Sequence, residues 1–262
     1  MAFARASVLG AASLVIVAAL SACSKSSPAG QAHPAATVSP TGAHGPAKAQ
    51  PAFTVAGDHP VQPNGSQDTN AATPGAQCNS GTLAADKTLA ARIATGFTLA
   101  GFSASAQLLQ HFLSGKGTEV SYQAGSPISQ LAQASGTFRT VNSEVQDAVA
   151  AQLKTGRMHV HLSPAQLPLI AFEAKTSDLY WGFRGTQGLT VTGTGSRSNG
   201  RFAGSLTYVI RDSYGFPAND TLGGFGAPMR YLQTVCGAPQ HRGGARWFPD
   251  TITVTVRFSE PA

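Results

Sequence analysis

The sequence predicts an α+β domain in which N-terminal helices pack on a C-terminal antiparallel β-sheet, behind an export signal and a polar tether. Three observations predict it. Between Thr82 and Leu153, apolar residues recur at helical spacing. From Arg157 onward they recur at every second position, the spacing of strands. Before Cys78 neither pattern is sustained, and Ala, Pro, Gly, Ser, Thr and Gln dominate.

Taken in order, Thr82 to Leu113 is helical. Leu83, Leu89, Ile93, Phe97 and Ala100 lie near one face, which Leu108, Leu109, Phe112 and Leu113 continue. Gly96 and Gly101 divide this stretch in two, and Gly115 and Gly117 close it. Glu119 to Gln123 is a short strand, and Pro127 opens a small helix through Ala134. Phe138 to Leu153 places Val141, Val145, Val149 and Leu153 on one face of an amphipathic helix ending at Gly156.

The strands follow. Arg157 to Leu162 alternates around Met158, Val160 and Leu162. Asp178 to Arg184 reads as a further, aromatic strand, with Trp181 and Phe183 on one face and Tyr180 on the other. Gly188 to Thr194, Arg201 to Arg211 and Thr251 to Phe258 alternate apolar residues with Thr, Ser and Arg. Ser198-Asn199-Gly200 is a hairpin turn between two of them. Thr221 to Gly237 is a short helix around Met229, Tyr231 and Leu232.

Composition narrows the classes. The chain has 262 residues, and its 42% hydrophobic content excludes a wholly disordered polymer. Charged residues are only 11%, under half the usual share of about 25%. No second apolar run is long enough to span a bilayer. From Cys78 onward, fifteen Lys and Arg stand against ten Asp and Glu, and every cation after Lys175 is arginine. Arginine suits carboxylate or phosphate, so an anionic wall or lipid ligand is one reading. A GC-rich codon bias is the other, and the modest excess favours it. No nucleic-acid-binding pattern is present, and no nucleic-acid partner is expected.

The N-terminus carries an address. Arg5 supplies a positive charge, and Val8 to Leu20 is uncharged and too short to span a membrane. It ends in Leu20-Ser21-Ala22-Cys23, which resembles the lipobox of bacterial lipoproteins. The resemblance implies cleavage before Cys23, a diacylglycerol thioether on its sulfur, and acylation of the new amino group. Residues 1–22 are then the signal, 23–77 a disordered tether and 78–262 one globular domain. The implied partner is a lipid bilayer holding acylated Cys23, with an envelope protein or an anionic wall or lipid component as ligand. Ser24 in place of Asp implies an outer-membrane address facing the periplasm, where the host has an outer membrane. The tether has an r.m.s. reach of about 40 Å, and its widely spaced His33, His44 and His59 read as solvated. With Cys23 taken by lipid, Cys78 and Cys236 remain as an even pair in an oxidising compartment. Their bridge would close nearly the whole domain, worth about 5 kcal/mol in the chain-entropy model.

The chemistry-bearing residues are few. Asp212 and Tyr214, two apart at a strand end, share a face. With His111 in His111-Phe112-Leu113-Ser114-Gly115-Lys116-Gly117, the segment Asp212-Ser213-Tyr214-Gly215-Phe216 resembles a module at the ends of some bacterial secreted and lipoprotein chains. That module has no settled activity. The three side chains are either an acid/base cluster, or Asp212 caps a loop or pairs with Arg211 or Arg230 while Tyr214 and Phe216 pack. The packing reading is favoured. His159 and His161 share a strand face, which suits two metal bonds, with His111, Asp178 or His241 as third ligand. Two solvated histidines are the plainer reading, and neither metal nor cofactor is expected. Gly223-Gly224-Phe225-Gly226 lacks the Lys-Ser/Thr and the preceding strand of a phosphate loop. No nucleophile elbow, S-x-x-K, H-E-x-x-H or C-x-x-C occurs. The sequence therefore leads to a non-enzymatic, envelope-anchored domain that binds another envelope component. The alternative is an enzyme or antibacterial effector acting on wall or lipid through Asp212, Tyr214 and His111.

Overall fold

A computed structural model describes residues 52–61, 76–216, 223–237 and 243–262. The signal, Cys23 and most of the expected tether lie outside the described residues. In chain order the elements are β1 (Ala52–His59), α1 (Ser80–Leu99), α2 (Ser103–Ser114), β2 (Val120–Tyr122), α3 (Pro127–Ala134) and α4 (Gly136–Lys154). Then come β3 (His159–Leu162), α5 (Asp178–Gly182), β4 (Gly188–Ser198), β5 (Arg201–Tyr214), α6 (Gly223–Arg230) and β6 (Phe248–Pro261). A π-helical turn, Tyr231–Val235, extends α6.

The strands form one six-stranded sheet in the order β2-β6-β5-β4-β1-β3. Helix and sheet are mixed as expected, but the sheet is not antiparallel throughout. β1 runs parallel to β3, and β2 parallel to β6, so both edge pairings are parallel. A parallel pair needs a long crossover, and the chain carrying α1 to α4 supplies it between β1 and β3. Nor are the helices confined to the N-terminal side, since β1 and β2 precede or interrupt them and α5 and α6 come later.

The larger correction concerns Ala52–His59, which the sequence reading placed in the disordered tether. These residues pair with β3 on one side and β4 on the other, inside the sheet. Phe53, Val55 and Gly57 point into the core while Thr54, Ala56 and Asp58 face outward. That alternation is a strand pattern, hidden by the Ala- and Pro-rich surroundings. Phe53 meets Phe202 and Phe258 edge-on, at 6.1 and 5.8 Å between ring centres. A Cβ at Gly195 on β4 would collide with the Phe53 ring, so this glycine leaves the space the ring fills.

The same parity holds across the sheet. Leu189, Val191, Leu206, Tyr208, Ile210, Ile252, Val254 and Phe258 are buried on one face. Thr192, Thr194 and Thr255 are exposed on the other. A sheet with one solvated face reads this way. The helices cover the apolar side. Val141, Val145, Val149 and Leu153 of α4 are buried, as their spacing predicts. Asn199 (φ 50) and Gly200 (φ 71) make the β4–β5 turn with two left-handed residues.

Of Asp178 to Arg184, expected as a strand, Asp178–Gly182 is instead the helix α5. Ser177 Oγ accepts the Leu179 N–H at 3.2 Å and starts it. The Asp178 carboxylate accepts the N–H groups of Ala104 and Ser105 at 2.8 and 2.7 Å, capping α2 from another part of the chain. A tertiary cap overrides the local aromatic alternation, and Tyr180 and Phe183 are buried while Trp181 is half-buried. Cys78 and Cys236 form a disulfide, tying the approach to α1 to the end of the π turn.

The position of β1 gives a direct test. A chain starting at Lys48 should fold cooperatively, whereas one starting at Cys78 should lose the sheet and aggregate. Far-UV circular dichroism and thermal melting of the two truncations distinguish them; a cooperative melt from the shorter chain would show β1 to be dispensable.

Candidate functional site

The strand ends around Tyr214 and Phe248 gather the chain's unusual polar groups. In the β5–β6 register Asp212 lies opposite Asp250 and Tyr214 opposite Phe248. On the far side of β6, Val120 of β2 lies opposite Asp250. Residues directly opposite share a sheet face, so Asp212 and Asp250 lie side by side on the helix-covered face.

Asp250 is 0% exposed, and neither carboxylate oxygen has a hydrogen-bond partner among the described residues. Buried carboxylates almost always have partners, so the group resists ionisation. Burial first, then the Asp212 carboxylate and the more distant Glu119, push the Asp250 acid well above the usual carboxylate range. The Asp212 carboxylate accepts the Ser213 N–H at 2.9 Å. The Tyr122 hydroxyl is buried, also without a hydrogen-bond partner among the described residues. Burial, followed by the charges of Asp250 and Asp178, raises its phenol. The Tyr214 phenol is raised by burial, then by Asp250, Tyr122 and Asp178. Burial disfavours the phenolate, so the side chain stays a neutral phenol and offers no anion to accept a proton.

Asp212 and Tyr214 therefore share a face, as the sequence predicts. His111 does not join them in a relay. Its Nε2–H donates to the Thr118 carbonyl at 2.8 Å. Its ring packs edge-on against Phe248 at 4.5 Å, and Phe248 stacks on Tyr214 at 5.5 Å. A phenyl ring thus stands between the imidazole and the phenol. Arg211, one candidate partner for Asp212, points to the opposite face and pairs with Asp58 at 3.2 Å. Tyr214 and Phe216 pack with Phe112, at 6.2 and 5.2 Å.

The other candidates separate. His159 and His161 are both exposed on the edge strand β3, on one side as expected. His159 Nδ1 lies 3.0 Å from Thr54 Oγ1. Of the possible third ligands, Asp178 is held at the start of α2, His111 at Thr118, and His241 lies outside the described residues. Among the described residues no three His, Cys, Asp or Glu side chains come together to hold a metal. An open groove of about 210 Å³ lies between the α3–α4 junction and the segment before α5, lined by Leu131, Phe172, Glu173 and Leu179. It does not include the acid pair, and it is smaller than most small-molecule sites.

Sequence reasoning missed Asp250. Its parity was the available signal, since an aspartate in phase with Ile252, Val254 and Phe258 must point inward. Asp178 was weighed as a metal ligand only, and no local pattern announces a cap on a helix some seventy residues away. No helix among the described residues is long and apolar enough to cross a membrane. No known protein family, curated protein or solved structure matches the chain.

The raised Asp250 acid makes a signed prediction. With its folded pKa above the ordinary 3.8, the folded state holds a proton that the unfolded state releases. Its contribution to stability is complete below about pH 3.8 and is lost as pH rises toward the folded value. Asp250→Asn should flatten this fall. Urea melts across pH 4 to 9 should show wild-type stability declining more steeply than that of the variant; equal slopes would place the Asp250 titration in the ordinary range.

Proposed function

We propose that this chain is a bacterial envelope lipoprotein, anchored through an acylated Cys23, whose domain binds another envelope component and performs no catalysis. Leu20-Ser21-Ala22-Cys23 behind an uncharged apolar run supports the anchor. The Cys78–Cys236 disulfide supports an oxidising compartment. The observation that carries the non-catalytic half is the full burial of Asp250, the raised member of the acid pair. Asp250 has no exposed surface, the Tyr214 phenol is disfavoured as a base, and His111 is engaged elsewhere. A general acid or base must reach its substrate within about 3 Å, and no route to Asp250 is open. The arginine excess favours an anionic wall or lipid component as ligand, and a protein of the envelope remains the competing partner.

One observation favours a second reading. Two carboxylates on one sheet face, one of them raised, form the kind of pair that acid/base enzymes use. In that reading the domain is an effector or hydrolase acting on wall or lipid.

Two experiments test the proposal. Cells fed labelled palmitate should incorporate it into the wild-type chain, and Cys23→Ser should abolish incorporation and leave the longer precursor. Labelling that persists in Cys23→Ser would remove the anchor. Expression of the unanchored domain in the periplasm and in the cytoplasm should leave growth normal. Growth arrest relieved by Asp212→Ala or Tyr214→Phe would put the effector reading first.

A further inference from the structure

The sheet face opposite the helices presents short polar side chains in register. Arg257 lies opposite Ser205, Ser205 opposite Thr194, Thr194 opposite Thr54, and Thr54 opposite His159. Residues directly opposite share a face, so one row crosses the sheet from β6 to the edge strand β3. Its span is about 19 Å at the ordinary strand spacing. The neighbouring row is alike, with Thr255, Thr207 and Thr192 leading to Ala56 and His161. Hydrogen bonds fix parts of both rows. The Thr207 and Thr255 hydroxyl oxygens are 3.1 Å apart, and Thr54 Oγ1 lies 3.0 Å from His159 Nδ1. Short side chains therefore form a floor, with the longer, exposed Arg257 and His159 at its two ends.

The β6 end of this floor is cationic. Arg201 donates from Nε to Ser259 Oγ at 3.2 Å and from Nη2 to the Ser259 carbonyl at 3.1 Å. Ser259 is two residues from Arg257 and shares its face, about 7 Å along the strand. Two guanidinium groups are thus held near one another, each with N–H donors to spare. Among the described residues neither forms an ion pair, whereas Arg211 on the same face is matched by Asp58. Glu260, the nearest acid along β6, has the opposite parity. No Phe, Tyr, Trp, Leu, Ile or Met side chain lies on this face of the described strands, and Val209 on it is half-buried.

We infer that this face binds an anionic polysaccharide of the envelope, with its carboxylate or phosphate groups at Arg201 and Arg257 and its hydroxyls on the Ser and Thr floor. The chemistry of the face selects that occupant. A bilayer takes up apolar side chains, and this face offers it none. Protein partners are held mainly by aromatic and other large anchors packed in pockets, which are absent here. Neutral sugars would have no ring to stack on, so the two unmatched cations must supply the attraction. Guanidinium groups match carboxylate and phosphate in a planar, paired geometry. Hydroxyl side chains both donate and accept, as sugar hydroxyls require. The inference rests on the reading of the domain as an envelope binder, and gives that reading a face and a ligand class.

The test uses the oxidised chain Ser24–Ala262, which lacks Cys23 and contains the whole compact unit beginning at Lys48. The probes are alginate oligosaccharides, which carry carboxylates, neutral dextran, and phosphatidylglycerol vesicles. Calorimetric titration should show binding to alginate that weakens as salt is raised, and none to dextran. Arg257→Ala and Arg201→Ala should each lower the affinity for alginate by about tenfold. Thr194→Glu, which sets a negative charge on the floor, should lower it as much. Arg139→Ala removes an exposed cation from α4, on the helix side, and should change nothing. Thermal melts of each variant establish that it is folded. A folded wild-type chain that ignores alginate would overturn the inference, as would binding indifferent to Arg257→Ala, Arg201→Ala and Thr194→Glu. Equal binding to dextran would remove the charge complementarity, and tighter binding to the vesicles would make lipid the partner instead. Palmitate labelling at Cys23 does not involve this face, so the anchor and the sugar site can fail independently of each other.

Discussion

The arrangement of the domain depends on the double pairing of β1. This eight-residue strand lies between β3 and β4. Its hydrogen bonds join the hairpin strands β4 and β5 to the short edge strand that follows the four large helices. Phe53 reinforces the junction from inside, against Phe202 of β5 and Phe258 of β6. Without β1, β3 would have no neighbour in the sheet, and α4 would lose the strand onto which it leads. The side chains of three strands meet at one ring, and the ring has space only because Gly195 lacks a Cβ.

The legibility of the sequence follows from where the specifying interactions lie. α3 and α4 could be read because their apolar positions repeat within each element, as with Val141, Val145, Val149 and Leu153. The Asn199-Gly200 turn could be read because left-handed backbone has few chemical solutions. Three inward positions identify β1, and Ala- and Pro-rich flanks diluted them below notice. α5 could not be read at all, since what makes it helical includes the bond from Asp178 to the start of α2. In the candidate site, Asp212 and Tyr214 were legible as a face, being two apart on one strand. Asp250 belongs to the same face through register alone, and register is a property of pairing.

The acid pair and the aromatic packing around it answer a question of stability before any question of chemistry. A buried, unpaired carboxyl is costly in either protonation state. Asp250 carries that cost inside the strand that also bears Ile252, Val254 and Phe258. Phe248, Tyr214 and Phe112 pack together along this face, and burial is the main cause that pushes the Asp250 acid upward. His111 contributes an edge to this packing and a hydrogen bond to the loop after α2. Both contacts hold the ring in place at the end of α2.

The two ends of the sheet are not equivalent under load. Ala52 enters β1 beside Ser196, and Pro261 leaves β6 beside Arg201, so the start of β1 and the end of β6 both lie at the β4–β5 turn end of the sheet. The Ala262 N–H even donates to the Gly200 carbonyl at 2.9 Å. A force applied between these two ends would open the sheet like a zipper, one bond at a time. A force between Ala52 and the opposite end would instead drag β1 lengthwise past β3 and β4 together. Many bonds would then have to break at once, so the sheet is soft when pulled between the start of β1 and the end of β6 and stiff when pulled along its strands.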